Sequence, residues 1–334
     1  MIMELINLIR KGRNGRTETQ WLKELNYFKY VINLNLSYPN YCLAPLTQAC
    51  IKNDDFTVKY LLNNGANVNY LHENHMGNAL HYTLRNGTAL KYNQYNQEFL
   101  SICNYLIDGG IDVNIKCKNG MNAILLTMCL NSFHLKLYLI QKLCEANADI
   151  NSITYNQETP LMLAIKRPYQ QHSLEVMKQS YQQHLIEVIK QLIFLGADVN
   201  MKNDIGWSPL MILLNEHRLK ILNLPHNLPR KEKWEYKIKL EVQTSYIAYV
   251  LLENVVFQTE EEGIRTLMLA GRANMFDIAL YILKNNYFEE RVYRRFIKKF
   301  KLGILGYYKT RYRYMHYSGL NGTRCNHSCS AACA

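Results

Sequence analysis

Two short stretches of this 334-residue chain carry side chains that metal chemistry would use. His72-Glu73-Asn74-His75 sets two imidazoles beside a carboxylate. A zinc hydrolase, however, needs its two histidines four apart on one helix face, with the Glu between them as base. Here the spacing is three and the surroundings are turn-like, so no catalytic zinc site is expected. Cys325, His327, Cys329 and Cys333 offer four soft ligands within nine residues. Structural zinc sites separate two ligand pairs by a folded segment, so this run reads as a disordered tail and no metal is expected. Metal binding there, or acylation of Cys329 or Cys333, are the competing readings; with Ala rather than Cys at 331, prenylation is not expected. No Gly-x-Gly-x-x-Gly, no phosphate-binding Gly-Lys-Ser/Thr loop and no Gly-x-Ser-x-Gly elbow occurs. The chain is therefore expected to be no enzyme and to need no cofactor.

The other chemistry-bearing stretch is charged. Residues 287–334 hold ten Lys and Arg against Glu289 and Glu290 alone, a net +8 of the chain's +12. Arg294, Arg295, Lys298, Lys299, Lys301, Arg311 and Arg313 are interleaved with tyrosines, while Val292, Phe296, Ile297 and Phe300 recur at helical spacing. Three uses fit this pattern: a helix that caps the fold and solvates its charge, an amphipathic helix on anionic membrane, or a surface that pairs cations with the phosphates of nucleic acid.

The rest of the chain is organised by a repeat. One pattern appears as Ala44-Pro45-Leu46, Asn78-Ala79-Leu80-His81, Asn122-Ala123-Ile124, Thr159-Pro160-Leu161, Ser208-Pro209-Leu210 and Thr266-Leu267-Met268. A second follows the first four: Gly65-Ala66-Asn67-Val68-Asn69, Gly110-Ile111-Asp112-Val113-Asn114, Asn147-Ala148-Asp149-Ile150-Asn151 and Gly196-Ala197-Asp198-Val199-Asn200. Thr159 or Ser208 followed by Pro suits a capped helix start, because Pro lacks an N–H that would be orphaned there. Leu46, Leu80, Leu161, Leu210 and Leu267 then fall on the inward face. Gly65, Gly110 and Gly196 permit the left-handed conformation that ends a second helix, and Asn67, Asp112, Asp149 and Asp198 suit the turn beyond it.

These two interleaved signals resemble the ankyrin repeat, with its Thr-Pro-Leu-His and Gly-Ala-Asp-Val-Asn signatures. The resemblance spans about residues 43–286 and implies an all-α fold, an ankyrin-repeat solenoid of about six stacked helix-turn-helix units with short turn fingers. Successive repeats start 34, 44, 37, 49 and 57 residues apart, so insertions are expected near 86–97, 169–180 and 216–239, as loops or longer helices. The second reflects a local duplication, since Tyr169–Gln179 is echoed by Tyr181–Gln191. The third carries Pro225, Pro229 and the mixed-charge run Arg230–Glu235, read as a solvated loop leading into the outer helix or, through Trp234, as a partner anchor.

Residues 1–42 are expected to form a helical N-terminal cap, with Trp21, Leu22, Leu25, Phe28 and Ile32 on one face, and 287–334 a basic C-terminal cap and tail. By resemblance, a protein partner is held on the concave face formed by fingers and inner helices. The matching positions are Tyr70, His72 and Glu73, then Lys116 and Lys118, then Tyr155 and Asn156, then Lys202 and Asp204. His81 sits at the family's histidine position, where the resemblance implies a hydrogen-bonded tie between turns. The expected function is a non-catalytic protein-interaction module, a scaffold, adaptor or host-directed effector; the alternative adds binding of nucleic acid or anionic membrane through the basic tail. Nine scattered cysteines, no apolar run of membrane length and an interrupted start lead to an expectation of a reducing cytoplasm; the chain is also expected to be a monomer. An AT-rich composition adds a parasite, symbiont or virus inside host cells as the expected setting.

Overall fold

The computed structural model describes residues 2–29, 43–71, 77–87, 97–170, 179–224, 229–285 and 288–317. Among these residues every regular element is a helix. The chain divides into two compact units, Met1–Glu216 with Val250–Val255, and His217–Tyr249 with Val256–Ala334.

The first unit is a two-layer stack. Its helices are α1 (Ile2–Lys11), α2 (Glu18–Lys29), α3 (Pro45–Ile51), α4 (Asp55–Asn63), α5 (Ala79–Gly87), α6 (Gln97–Asp108), α7 (Ala123–Thr127), α8 (Phe133–Glu145), α9 (Pro160–Gln170) and α10 (Gln179–Phe194). The start of α11 (Pro209–Leu222) and the end of α12 (Arg230–Leu252) also belong to it. Neighbours α1, α3, α5, α7 and α9 pack in one row, and α4, α6, α8 and α10 in the other. Helix starts follow the capping signals: Met162 N–H donates to Thr159 Oγ1 (3.3 Å) and Met211 N–H to Ser208 Oγ (3.4 Å). Helix ends use left-handed residues, with φ of +87° at Gly65, +79° at Gly110, +97° at Gly196 and +62° at Asn147. Leu46, Leu80, Ile124 and Leu161 of the inner row are buried, as are Leu61, Leu106, Leu143 and Leu192 of the outer row. Each such side chain contributes about 2 kcal/mol by leaving water, and only the stacked neighbour makes that burial complete.

At the N-terminal end, Leu5, Ile9, Trp21, Leu25 and Phe28 join the same core. Leu22 does not: it is exposed, since residues 21, 25 and 28 share a face and 22 turns about 100° away from it. Ile32 lies outside the described residues.

The second unit contains the end of α11, most of α12, and α13 (Glu260–Arg272), α14 (Phe276–Asn285) and α15 (Glu290–Tyr317). Thr259 caps α13 by accepting from Glu262 N–H. Ser245 of α12 donates to Asp277 of α14 (2.8 Å), and the Tyr249 and Tyr281 rings meet edge to face at 5.4 Å. Helix α15 closes onto α13 and α14 through Val292, Phe296 and Phe300. Gly271 makes the approach close, because a Cβ there would stand 2.7 Å from the Phe300 ring.

The charged run of the third insertion is helix rather than loop. Arg230–Glu235, read from the sequence as a solvated loop, forms the first turns of α12, with Lys233 N–H already donating to the Pro229 carbonyl (3.0 Å). Lys and Glu are good helix formers, and Glu235 and Lys239 stand in the favourable i,i+4 order. Residues 225–228 of this insertion, 88–96 of the first and 171–178 of the second lie outside the described residues.

Candidate protein-recognition ridge

Three fingers of the first unit are built alike. In each, the first residue of a short turn donates to the carbonyl four positions on, and the residue three positions on donates back to the first. The pairs are Cys117 N–H to Met121 (2.9 Å) with Gly120 to Cys117 (2.8 Å), Thr154 to Glu158 (3.1 Å) with Gln157 to Thr154 (3.0 Å), and Asn203 to Trp207 (3.1 Å) with Gly206 to Asn203 (2.9 Å). The closing residue has positive φ every time: +71° at Gly120, +55° at Gln157 and +75° at Gly206. The two residues between project at the tip. These are Lys118-Asn119, Tyr155-Asn156 and Asp204-Ile205, all exposed.

The fingers are held in register by a side-chain ladder. Asn69 Nδ2 donates to the Gly110 carbonyl (3.0 Å) while its Oδ1 accepts from Asp112 N–H (2.6 Å). Asn114 does the same to Asn147 (2.9 Å) and Asp149 (2.8 Å), and Asn151 to Gly196 (3.1 Å) and Asp198 (2.8 Å). Within each finger the preceding acid or amide accepts from that Asn's own N–H, as Asp112 does from Asn114 at 2.9 Å. The tips are joined as well: Tyr155 Oη donates to the Lys118 carbonyl (2.7 Å), Lys116 Nζ to the Ile153 carbonyl (2.8 Å) and Asp204 N–H to the Asn156 carbonyl (3.1 Å). Tyr155 is 73% exposed, yet its ring lies against Gly120 and its hydroxyl is tied down, so its rotamer is held by the fold.

Lys118, Tyr155, Asn156 and Asp204 are thus brought together as one exposed row, with the Lys116 side chain bonded across it and Lys202 half-buried just before the Asn203 turn. Tyr70 is half-buried on the first finger. His72 and Glu73 lie outside the described residues. Sequence reasoning missed Asn119 and Ile205. Ile205, 62% exposed, was legible as an apolar residue two positions into a turn closed by glycine.

His81 is a structural tie. Its Nε2 donates to the Met121 carbonyl of the next finger (3.1 Å), and its Nδ1 accepts from the Asn78 N–H (3.3 Å). Burial lowers its pKa below the ordinary histidine value, which keeps it neutral. The buried thiol of Cys50 is pushed up to about 12, too high for nucleophilic work near neutrality.

Elsewhere, Trp234 is half-exposed on the first turns of α12. Arg294, Arg295, Lys298, Lys299 and Lys301 are exposed on α15; Arg311 and Arg313 fall in its last turns, their side chains outside the described set. Among the described residues, no group of three or more His, Cys, Asp or Glu is placed to hold a metal ion, and no helix is long and apolar enough to cross a membrane. The Cys325–Cys333 run lies outside the described residues.

The ankyrin repeat family matches residues 43–73, the stretch that holds α3, α4 and the first finger. Comparison with curated proteins finds no match.

Proposed function

We propose that this ankyrin-repeat protein is a non-catalytic adaptor or scaffold that binds a protein partner along the fingertip row Lys118, Tyr155, Asn156, Asp204 and Ile205. Ankyrin repeats in general mediate protein–protein interaction, and the family is typically non-catalytic. The observation that carries the reading is Tyr155: a large aromatic, mostly exposed, and immobilised by a hydrogen bond and a ring contact. A side chain ordered in advance loses little entropy on binding, which is why fixed tyrosines dominate interfaces. Around it the row runs from cation at Lys118 to carboxylate at Asp204, with Ile205 as an apolar neighbour. Mixed charge beside aromatic and aliphatic surface suits a folded protein or peptide better than a uniform polyanion. The buried free thiols of Cys50, Cys103 and Cys117 support a reducing cytoplasm as its setting.

The test is affinity capture with the chain and with Lys118→Ala/Tyr155→Ala/Ile205→Ala, whose changes lie on exposed tips. Proteins captured by the parent and lost by the variant, with the helical circular-dichroism spectrum of the fold retained, are the expected outcome. A capture profile identical for both removes the ridge from consideration.

A further inference from the structure

Helix α15 presents two unlike faces. Val292 and Phe296 are buried and Phe300 packs beside them, so the apolar stripe is committed to α13 and α14. On the opposite side, Arg291, Arg294, Arg295, Lys298 and Lys301 are all exposed. At 100° per residue they fall within one arc, and a rise of about 1.5 Å per residue spreads them over about 15 Å. The first two are partly neutralised: Arg291 pairs with Glu289, and Arg294 with Glu290 at 2.7 Å. Among the described residues no carboxylate lies within ion-pair range of Arg295, Lys298 or Lys301.

We propose that this outward face of α15 binds the phosphate backbone of duplex nucleic acid. A row of cations fixed on a docked helix matches a row of phosphates, and association is driven by release of the counterions those phosphates hold. Among the described side chains, the face lacks what other polyanionic surfaces demand. Insertion into a membrane needs a free apolar stripe, whereas this stripe is occupied by protein; among the residues whose side chains are described, Leu305 is the one exposed aliphatic side chain within the basic arc. Single-stranded nucleic acid is held by stacking bases on aromatics, yet among the residues whose side chains are described the aromatics Tyr293 and Phe300 lie on other sides of the helix. Contacts of this kind read backbone rather than base, so binding is insensitive to sequence. The fingertip row and this face are independent, and each stands if the other fails.

The experiment is fluorescence anisotropy of the full chain with mixed-sequence DNA and RNA duplexes of about 25 base pairs, from about 50 to about 200 mM salt. Binding of either duplex is expected, with log K falling linearly against log salt; a preference between them identifies the source of the phosphates. Arg295→Gln/Lys298→Gln/Lys301→Gln, all at exposed positions, is expected to weaken binding at least about tenfold and to make the slope shallower by about 3. Glu290→Gln, which frees Arg294, is expected to tighten it. Undiminished binding by the triple variant overturns the proposal. So does failure to bind either duplex at low salt, with or without binding to phosphatidylserine vesicles that Leu305→Ala abolishes.

Discussion

The imidazole of His81 occupies the space that a Cβ on Gly77 would fill. Gly77 has φ +99°, and the ring atoms of His81 lie inside contact distance of an ideal Cβ built there. Glycine is therefore required twice, by the backbone and by the ring that ties one finger to the next through the Met121 carbonyl. Gly77→Ala is expected to cost about 2–4 kcal/mol, from left-handed strain plus displacement of a buried, hydrogen-bonded ring. Urea unfolding would read this as a lower midpoint. A midpoint within error of the parent would mean that the ring moves aside freely.

The Asn ladder makes a second prediction. Asn114 satisfies a carbonyl of Asn147 and an amide of Asp149, two backbone groups of the next finger. Asn114→Ala removes both hydrogen bonds, but the groups are exposed and water replaces much of the loss. A destabilisation of about 1 kcal/mol is expected. Asn69→Ala and Asn151→Ala should each cost a similar amount, and Asn69→Ala combined with Asn151→Ala should be nearly additive because the two share no partner. Strong non-additivity in chemical denaturation would contradict a chain of independent rungs.

Much of this was legible in the residues, and the exceptions have physical causes. The caps at Thr159 and Ser208 and the left-handed Gly65, Gly110 and Gly196 are local features, set by one or two residues, so they read directly from sequence. The ladder was visible as a recurring Asn but not as a bond, because its partners lie 33 to 47 residues away. The exposure of Leu22 and the helical start of α12 were missed for a related reason. Apolar type does not fix which side of a helix faces the core, and a charged run reads as loop or helix until i,i+4 pairing is weighed. The fingertip row was located by counting from the turn signature, but Ile205 fell one residue beyond that count.

Stability should depend on pH through His217. It is buried, donates from Nδ1 to Thr244 Oγ1 (2.9 Å), whose hydroxyl donates to the Leu240 carbonyl, and burial lowers its pKa to about 4. The unfolded chain takes up this proton near the ordinary value of 6.5, before the folded chain does. Stability is therefore fully present above pH 6.5 and is lost as pH falls toward about 4, by roughly 3 kcal/mol at most. His81, shifted in the same direction, adds to the loss. Thermal melts across this window should show a falling midpoint that His217→Gln makes shallower. A parent midpoint that is flat between these pH values would show that His217 is already protonated in the fold.

The N-terminal cap is anchored by a relay from Trp21. Its indole Nε1 donates to Thr57 Oγ1 (2.8 Å), and Thr57 Oγ1 donates to Asp54 Oδ2 (2.6 Å), the residue that caps α4. Trp21 is fully buried, so the indole joins α2 to α4 by packing and by a polar bond at once. Thr57→Val keeps the shape but strands the indole N–H and is expected to cost about 1–3 kcal/mol. Trp21→Ala removes the whole side chain and should cost about 3–5 kcal/mol. Because repeats stack through nearest neighbours, that loss should release α1 and α2 while later helices persist. Hydrogen exchange would then show protection lost over residues 2–29 and retained over α5 to α8. Uniform loss along the first unit would instead mean that the cap and the repeats unfold as one.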